Sequence, residues 1–149
     1  AGLRLRLRPT DAWVVSDGLH LERIARNLLS NALRYTREGG VLVGARARRV
    51  NGVPEMTLEV WDTGCGIAEA DRARVFDEFV QLGNPERQRT LGLGLGLSIV
   101  QRLAQRLGHR VEVRSRPGRG SCFAVSMATV TDVRTARSHA EQARSTGIP

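Results

Sequence analysis

The chain has 149 residues, of which 41% are apolar, enough for one domain with a single core. No run approaches the ~20 apolar residues of a membrane span. The N-terminus alternates Leu with Arg, unlike the apolar block of a signal peptide, so we expect a cytoplasmic domain without direct membrane contact, a description that also fits the cytosolic part of a membrane-bound sensor. Cys65 and Cys122 form no C-x-x-C pair, which predicts reduced thiols.

The net charge of +8 comes from 23 basic residues, and all of them are Arg. The absence of Lys excludes a Walker P-loop, a lysine Schiff base and a Ser-Lys dyad. The Arg residues are scattered along the chain, and aromatic residues make up only 4% of it. A nucleic-acid groove normally combines a basic patch with stacking aromatics, so we expect no nucleic-acid partner.

The first part of the chain predicts two short strands and a long helix. Residues 3–8 alternate apolar and basic side chains, as in an edge strand with one solvated face, and Pro9 ends that strand. Residues 12–15 predict a second strand. Asp17 is a candidate N-cap for a helix that runs out at residues 38–40, where two glycines occur.

The long helix carries a polar stripe beside its apolar side. Asn27, Asn31 and Arg34 follow one another at i, i+4 and i+7, with Tyr35 adjacent. An unpaired buried amide costs about 1–3 kcal/mol, so the two Asn side chains must be hydrogen-bonded, solvated or turned towards a cavity. The stripe is therefore a candidate site.

The middle of the chain predicts an antiparallel hairpin and a second helix. Residues 41–48 and 56–62 alternate in the manner of strands, and Asn51-Gly52 is a typical hairpin turn between them. Residues 68–79 predict a short helix or two helical turns. Residues 81–91 have no periodicity and predict a mobile loop.

The last part of the chain predicts a third helix and a final hairpin. Residues 91–108 begin with three glycines and then become amphipathic. Residues 110–116 and 121–128 alternate around a Pro-Gly-Arg-Gly turn. Residues 130–149 are polar and weakly patterned, which predicts a tail or linker after a domain formed by residues 1–129.

These elements predict an α+β sandwich. The sheet should be mixed and largely antiparallel, with three main helices packed on one face.

Three features could together form a nucleotide site. The glycines at Gly92, Gly94 and Gly96 precede a helix, whose free N–H groups and positive dipole end favour an anion. Asp62 ends an apolar strand before two glycines and can accept from an exocyclic amine. Asn31 offers an oxygen to a hard cation such as Mg²⁺. Each feature alone has an ordinary structural explanation, but together they favour an ATP site.

Five motifs, in order, then carry a resemblance to a known family: Asn27-x-x-x-Asn31-Ala32-x-Arg34-Tyr35, Asp62-x-Gly64-x-Gly66-Ile67, Phe76-x-x-Phe79, Gly92-x-Gly94-Leu95-Gly96-Leu97 and Gly118-x-Gly120-Ser121-x-Phe123. They resemble the N, first glycine, F, second glycine and third glycine boxes of bacterial sensor histidine kinases, which belong to the GHKL superfamily. The resemblance covers roughly residues 3–128 and implies the Bergerat fold.

The resemblance also implies site roles, with ATP and Mg²⁺ as cofactors. It implies that Asn31 coordinates Mg²⁺, that Arg34 contacts phosphate and that these two residues serve catalysis. Tyr35 would pack at the base, and Asp62 would accept from the adenine amino group. A lid at about residues 81–93 would cover the nucleotide. The full set of expected binding residues is Asn27, Asn31, Arg34, Tyr35, Asp62, Gly64, Gly66, Ile67, Phe79, Arg87, Arg89, Gly92, Gly94, Leu95, Gly96, Leu97 and Ser121, with Arg87 and Arg89 folding onto the γ-phosphate.

The implied function is phosphoryl transfer to a histidine on a separate dimerisation and phosphoacceptor domain, followed by a response regulator receiver domain as a further partner. The helical hairpin that carries this histidine in the family is missing from the sequence. Hydrolytic relatives of the gyrase and chaperone types use a Glu where this chain has Asn27, and an amide cannot accept a proton from water at neutral pH. A serine kinase of the anti-sigma-factor type and a non-catalytic nucleotide-binding module remain as alternatives.

Overall fold

The computed structural model describes residues 2–77, 96–129 and 141–142. Within these residues the elements are strand β1 (Leu3–Arg8), helix α1 (Gly18–Tyr35), strands β2 (Gly39–Val50) and β3 (Val53–Asp62), a one-turn 3-10 helix (Glu69–Asp71), helix α2 (Gly96–Leu107), and strands β4 (Arg110–Arg116) and β5 (Gly120–Ala128).

The five strands form one sheet in the order β1-β2-β3-β5-β4. Strand β1 runs parallel to β2, and every other neighbouring pair is antiparallel. Buried side chains of both helices share one core cluster with Val41, Val60 and Phe123 from the sheet. The predicted α+β class and the mixed, largely antiparallel sheet are therefore confirmed.

The predicted number of helices was too high for the described residues, which contain two α-helices. Residues 68–79 were expected to form a short helix or two helical turns; in the described part, residues 68–77, the chain forms a one-turn 3-10 helix (Glu69–Asp71) followed by further turns. The turns that follow are held by backbone hydrogen bonds from the N–H of residue i+3 to the carbonyl oxygen of residue i. Arg74 N donates to Asp71 O at 3.0 Å, and Asp77 N donates to Arg74 O at 3.0 Å. Such bonds favour short pieces of helix because their geometry is poorer than that of α-helical bonds.

Helix α1 begins as its sequence predicts and ends slightly earlier. The Asp17 carboxylate accepts from the backbone N–H of His20 at 3.1 Å, which satisfies one of the free donors at the helix start. Ile24, Leu28 and Ala32 are buried at helical spacing. The helix ends at Tyr35.

The first hairpin has the predicted turn and longer strands. Asn51 and Gly52 both have positive φ, at 50° and 78°, which is the type I′ geometry that matches strand twist. The strands pair from Val50 with Val53 to Val41 with Asp62. This register brings Asp62 to the end of the sheet nearest the end of α1.

Two predictions near the N-terminus need correction. All six residues of β1 are exposed, and Leu7 retains 71% of its accessible surface, so neither face of this edge strand is buried. Residues 12–15 form no strand; Val14 makes a single bridge to Thr129. Among the described residues β4 pairs with β5 as far as Ser126, and the bridge from Val14 to Thr129 lies beyond that point.

The predicted loop at residues 81–91 lies outside the described residues, as does nearly all of the predicted tail at 130–149. Among the helices that the structure describes, none has the length and apolar character needed to cross a bilayer.

Candidate functional site

The polar stripe of α1 faces the start of α2. The Asn27 amide nitrogen donates to the carbonyl oxygen of Arg23 at 2.9 Å, which fixes the side chain against its own helix. Its oxygen points at Gly96, where an added Cβ would lie 3.5 Å away. The two helices therefore approach closely at this point, and the second glycine box meets the N box there.

Asn31 lies one turn further along α1 and is half-buried. Within the part of the chain that the structure describes, its amide takes part in no hydrogen bond. An amide oxygen in this position can still bind a hard cation. Since the described residues contain no group of three His, Cys, Asp or Glu side chains able to hold a metal, a cation here would need the ligand's own oxygens as well.

Arg34 and Tyr35 complete the stripe, and both are half-buried. Burial raises the pKa of the Tyr35 phenol, and the neighbouring Arg34 guanidinium opposes that rise. The phenol is therefore a neutral hydrogen-bonding group at physiological pH. The Arg34 guanidinium adds a positive charge to the stripe, as a phosphate contact requires.

Asp62 is the buried carboxylate of the site, with 9% of its surface exposed. Its Oδ1 accepts from the backbone N–H of Gly64 at 2.9 Å and of Ser121 at 3.3 Å. Burial raises the pKa of Asp62, and these two hydrogen bonds partly offset the rise. Within the described residues neither bond uses Oδ2, so one carboxylate oxygen is fixed and the other is available to a ligand.

The glycine at position 64 lets the chain pass close to the end of α1. A Cβ on Gly64 would overlap the carbonyl oxygen of Tyr35 and would lie 3.0 Å from Asp62 Oδ1. It would also lie 3.1 Å from Thr36 Oγ1. The N box and the first glycine box are thus in backbone contact, which places Asp62 beside the polar stripe.

The first and third glycine boxes also interlock. Gly66 has a φ of 71°, and a Cβ there would overlap the carbonyl group of Arg116. Gly120 has a φ of 111° and packs in the same way against the backbone carbonyl of Asp62. The N–H of Gly118 donates to Cys65 O at 2.7 Å. Gly66 and Gly120 are therefore required to be glycine for two separate reasons, the positive φ and the close approach.

Ser115 holds these loops together, and sequence reasoning missed it. Its hydroxyl accepts from the N–H of Ile67 at 2.7 Å, donates to Gly120 O at 2.9 Å, and lies 2.8 Å from Ser121 Oγ. Ser115 is one alternating residue in a strand, and nothing in its local pattern distinguishes it. Ser121 was expected to bind the cofactor; it gives its N–H to Asp62, and its hydroxyl contacts Ser115.

The segment after the 3-10 helix is tied to the same loops. The Arg72 guanidinium donates to Ser115 O at 2.7 Å, while its buried Nε has no partner in the described residues. Phe76 packs edge-on against Phe123 with ring centroids 6.1 Å apart. This F-box phenylalanine therefore anchors the segment in the core.

The remaining predicted residues divide into two groups. Leu97 is half-buried and packs against the core, and Ile67 does the same beside its bond to Ser115. Six predicted site residues lie outside the described residues: Phe79, Arg87, Arg89, Gly92, Gly94 and Leu95.

Comparison with known families agrees with this arrangement. Residues 16–130 match the family described as histidine kinase-, DNA gyrase B-, and HSP90-like ATPase. The chain is 36% identical over 123 residues to the sensor histidine kinase AtsR of Burkholderia thailandensis, covering 83% of this chain and 20% of AtsR. It is 43% identical over 122 residues to the sensor histidine kinase AruS of Pseudomonas aeruginosa, covering 76% of this chain and 12% of AruS. The chain thus spans a fifth or less of these curated relatives.

Solved structures show the same fold. Full-length ShkA in complex with AMPPNP superposes with a TM-score of 0.71 at 34% identity, over 88% of this chain and 26% of ShkA. The mycobacterial sensor histidine kinase MprB gives a TM-score of 0.68 at 24% identity, over 86% of this chain and 83% of the MprB chain, a likeness of fold alone. The chain therefore belongs to the histidine kinase-, DNA gyrase B- and HSP90-like ATPase family and, within it, to the domain type found in sensor histidine kinases.

Proposed function

We propose that this chain binds Mg-ATP and transfers the γ-phosphate to a histidine on a separate phosphoacceptor domain. The observation that carries the proposal is the Asp62 carboxylate. It is buried, its Oδ1 is held by two backbone N–H groups, and its Oδ2 can accept from the exocyclic amine of adenine. The AMPPNP complex of the related ShkA supports a nucleotide as the ligand.

The polar stripe of α1 is suited to bind the phosphate end of the nucleotide. A bound Mg²⁺ would supply positive charge to the phosphate oxygens, and Asn31 is the residue that would hold it. Arg34 lies one turn further along the helix and would contact phosphate. The glycines before α2 would contribute backbone N–H groups, while Arg87 and Arg89 are proposed to close over the γ-phosphate from the lid.

Asn27 favours transfer over hydrolysis. Its amide nitrogen is bound to the backbone of Arg23, and an amide has no lone pair basic enough to take a proton from water at neutral pH. The chain therefore lacks a general base at the position where hydrolytic relatives are expected to have a Glu. The nucleophile must come from an acceptor side chain brought to the site.

The size of the curated relatives supports a larger assembly. AtsR and AruS extend far beyond the matched region. We propose that the natural partners are the dimerisation and phosphoacceptor domain of the same kinase and a receiver domain, and that the domain works in the cytoplasm.

A transfer assay in trans tests the proposal. The chain is mixed with Mg²⁺, γ-labelled ATP and a separately produced histidine hairpin from the same kinase. We expect label on the hairpin as an acid-labile, base-stable adduct, and none when the acceptor His is replaced by Gln.

Asp62→Asn is the matched variant, since it keeps the shape of the side chain and removes its charge. Rapid release of free phosphate by the chain alone would contradict transfer and indicate hydrolysis. An acid-stable adduct would indicate a serine kinase, and ATP binding without any transfer would indicate a passive module.

A further inference from the structure

A row of polar side chains crosses three strands at one end of the sheet. Antiparallel pairing places Asp62 of β3 opposite Ser121 of β5, and Ser121 opposite Ser115 of β4. Residues that are directly opposite each other in a sheet project their side chains to the same face. All three residues are buried. Ser115 is therefore separated from the carboxylate of the proposed adenine site by a single serine.

The hydroxyl of Ser115 has three hydrogen-bonding neighbours but only one proton. The N–H of Ile67 donates to Ser115 Oγ at 2.7 Å, and the carbonyl oxygen of Gly120, 2.9 Å away, can only accept. The third neighbour is Ser121 Oγ, at 2.8 Å. All three bonds are satisfied together when Ser115 gives its proton to Gly120 and Ser121 donates to Ser115.

This proton assignment fixes what Ser121 presents to the site. A serine hydroxyl has one proton and two lone pairs, so Ser121 can only accept from any group other than Ser115. An ionised Asp62 is also an acceptor. Within the described residues its Oδ1 receives the backbone N–H groups of Gly64 and Ser121 and no side-chain hydroxyl. The side chains of Asp62 and Ser121 thus form a wall of acceptors.

Neighbouring elements hold Ser115 in place. Its carbonyl oxygen accepts from the Arg72 guanidinium at 2.7 Å, just after the 3-10 helix. If its side chain turned away, the N–H of Ile67 would lose its acceptor, and an unsatisfied donor away from water is costly. The direction of the Ser121 proton is therefore set by a residue that is itself fixed at both its backbone and its side chain.

We propose that Ser115 is a positioning residue that sets the preference of the site for a purine with an exocyclic amine over one with an exocyclic oxygen. It does so by keeping the proton of Ser121 away from Asp62 and from the ligand. An amine donates to a wall of acceptors, whereas an oxygen would face lone pairs with no proton between them. The inference rests on the proposed recognition of adenine by Asp62, and it adds a residue that does not touch the ligand.

Removing the Ser115 hydroxyl should release the Ser121 proton. Asp62 Oδ1 lies 3.3 Å from the backbone nitrogen of Ser121, so rotation of the Ser121 side chain brings its hydroxyl within reach of the carboxylate. In Ser115→Ala the hydroxyl can donate to Asp62 or to the oxygen of a base. A site that donates as well as accepts discriminates less between the two purines.

Calorimetry with ATP and inosine triphosphate, in the presence of Mg²⁺, tests the proposal on the whole chain. The variants are Ser115→Ala, Ser121→Ala and the double variant. The readout is the ratio of the two affinities, because a general distortion of the site lowers both. An ordinary hydrogen bond corresponds to a factor of about 2 to 12 in affinity, so Ser115→Ala should reduce the preference for ATP by about that factor. The other two variants should keep the preference of the parent, since neither has a Ser121 hydroxyl to release.

Ser126→Ala is the matched control. Ser126 is another buried serine of β5, and its hydroxyl lies 3.1 Å from the Thr57 hydroxyl. Its preference for ATP should stay within about twofold of that of the parent. Circular dichroism shows whether each variant folds. If Ser115→Ala does not, Ser115→Cys takes its place, because a thiol is a weaker donor and acceptor of similar shape, and the same reduction is expected.

A second readout needs no nucleotide. NMR of the carboxyl carbon follows the titration of Asp62 in the free chain. A hydroxyl that donates to a carboxylate stabilises its charged form, so the measured pKa of Asp62 should be lower in Ser115→Ala than in the parent. It should return to the parent value in the double variant, which has the same lost bonds but no free hydroxyl.

The outcomes separate this inference from the proposed function. An unchanged preference for ATP in Ser115→Ala, or an equal reduction in the double variant or in Ser126→Ala, would overturn the role of Ser115. A parent that binds the two nucleotides equally would contradict adenine recognition by Asp62. The titration would then still decide whether Ser115 directs the Ser121 proton, and an Asp62 pKa that does not fall in Ser115→Ala would overturn that claim.

Discussion

Replacing Asp62 separates its contribution to stability from its contribution to binding. In Asp62→Asn the side-chain oxygen can still accept from Gly64 and Ser121, so both buried N–H groups remain paired. In Asp62→Ala both lose their acceptor, and each unsatisfied donor costs about 1–3 kcal/mol. We therefore expect Asp62→Ala to be about 2–6 kcal/mol less stable than Asp62→Asn, which should itself lie within about 1 kcal/mol of the parent.

Both variants should lose adenine recognition. A hydrogen bond to a charged group is worth about 1.5–3 kcal/mol, so calorimetry should show ATP affinity falling about 10- to 150-fold in Asp62→Asn. Inosine triphosphate lacks the exocyclic amine, so the parent should prefer ATP over it and the variant should not. A variant that binds ATP like the parent, or that discriminates equally well, would refute the role of Asp62.

The pH dependence of stability, compared between the parent and Asp62→Asn, adds an independent check. Because burial raises the pKa of Asp62 above its ordinary value of 3.8, the folded chain holds that proton more tightly than the unfolded chain. The contribution of the Asp62 carboxyl to the free energy of unfolding therefore falls as the pH rises from 3.8 through the raised pKa. Over that window Asp62→Asn should gain stability relative to the parent, and ATP affinity of the parent should fall as the pH drops through it. Equal pH profiles in denaturant melts would contradict the raised pKa.

Three further outcomes follow from individual side chains. Asn31→Ala should abolish the Mg²⁺-dependent part of ATP affinity in calorimetry while changing the free energy of unfolding by less than about 0.5 kcal/mol, because the amide has no hydrogen bond in the described residues. Gly66→Ala should destabilise the fold by more than about 3 kcal/mol in urea melts, because its Cβ would overlap a backbone carbonyl; Gly118→Ala has a similar φ but open space, and should cost only about 1 kcal/mol. Burial lowers the pKa of His109, whose ring is 2.8 Å from Ser16 Oγ, so stability should fall as the pH drops through about 6.5, and His109→Gln should flatten that dependence.

The parts of the fold that were predictable depend on local chemistry. Asp17 marks the start of α1 because a carboxylate can satisfy a free helix N–H. Asn51-Gly52 fixes the first hairpin because both residues tolerate positive φ. In each case the deciding interaction spans only a few residues.

The parts that were wrong depend on distant contacts. Leu3 to Leu7 alternate like an edge strand with one buried face; β1 does lie at the sheet edge, but all six of its residues are exposed and none belongs to the core cluster. Residues 12–15 suggested a strand, but within the described part of the chain Val14 makes a single bridge, to Thr129. Which strand faces the helices cover is set by the whole fold and cannot be read from one segment.

The candidate site shows the same division. The glycine boxes and Asp62 could be found from their spacing and from the resemblance of five motifs to one family. Ser115, which joins Ile67 to Gly120, carries no local signal because its partners are 48 and 5 residues away.

The most direct test of the central claim is a crystal structure of the chain with AMPPNP and Mg²⁺. The account predicts the adenine amino group within about 3 Å of Asp62 Oδ2 and the Asn31 amide oxygen about 2.1 Å from Mg²⁺. A nucleotide bound elsewhere, or a base that does not contact Asp62, would contradict it.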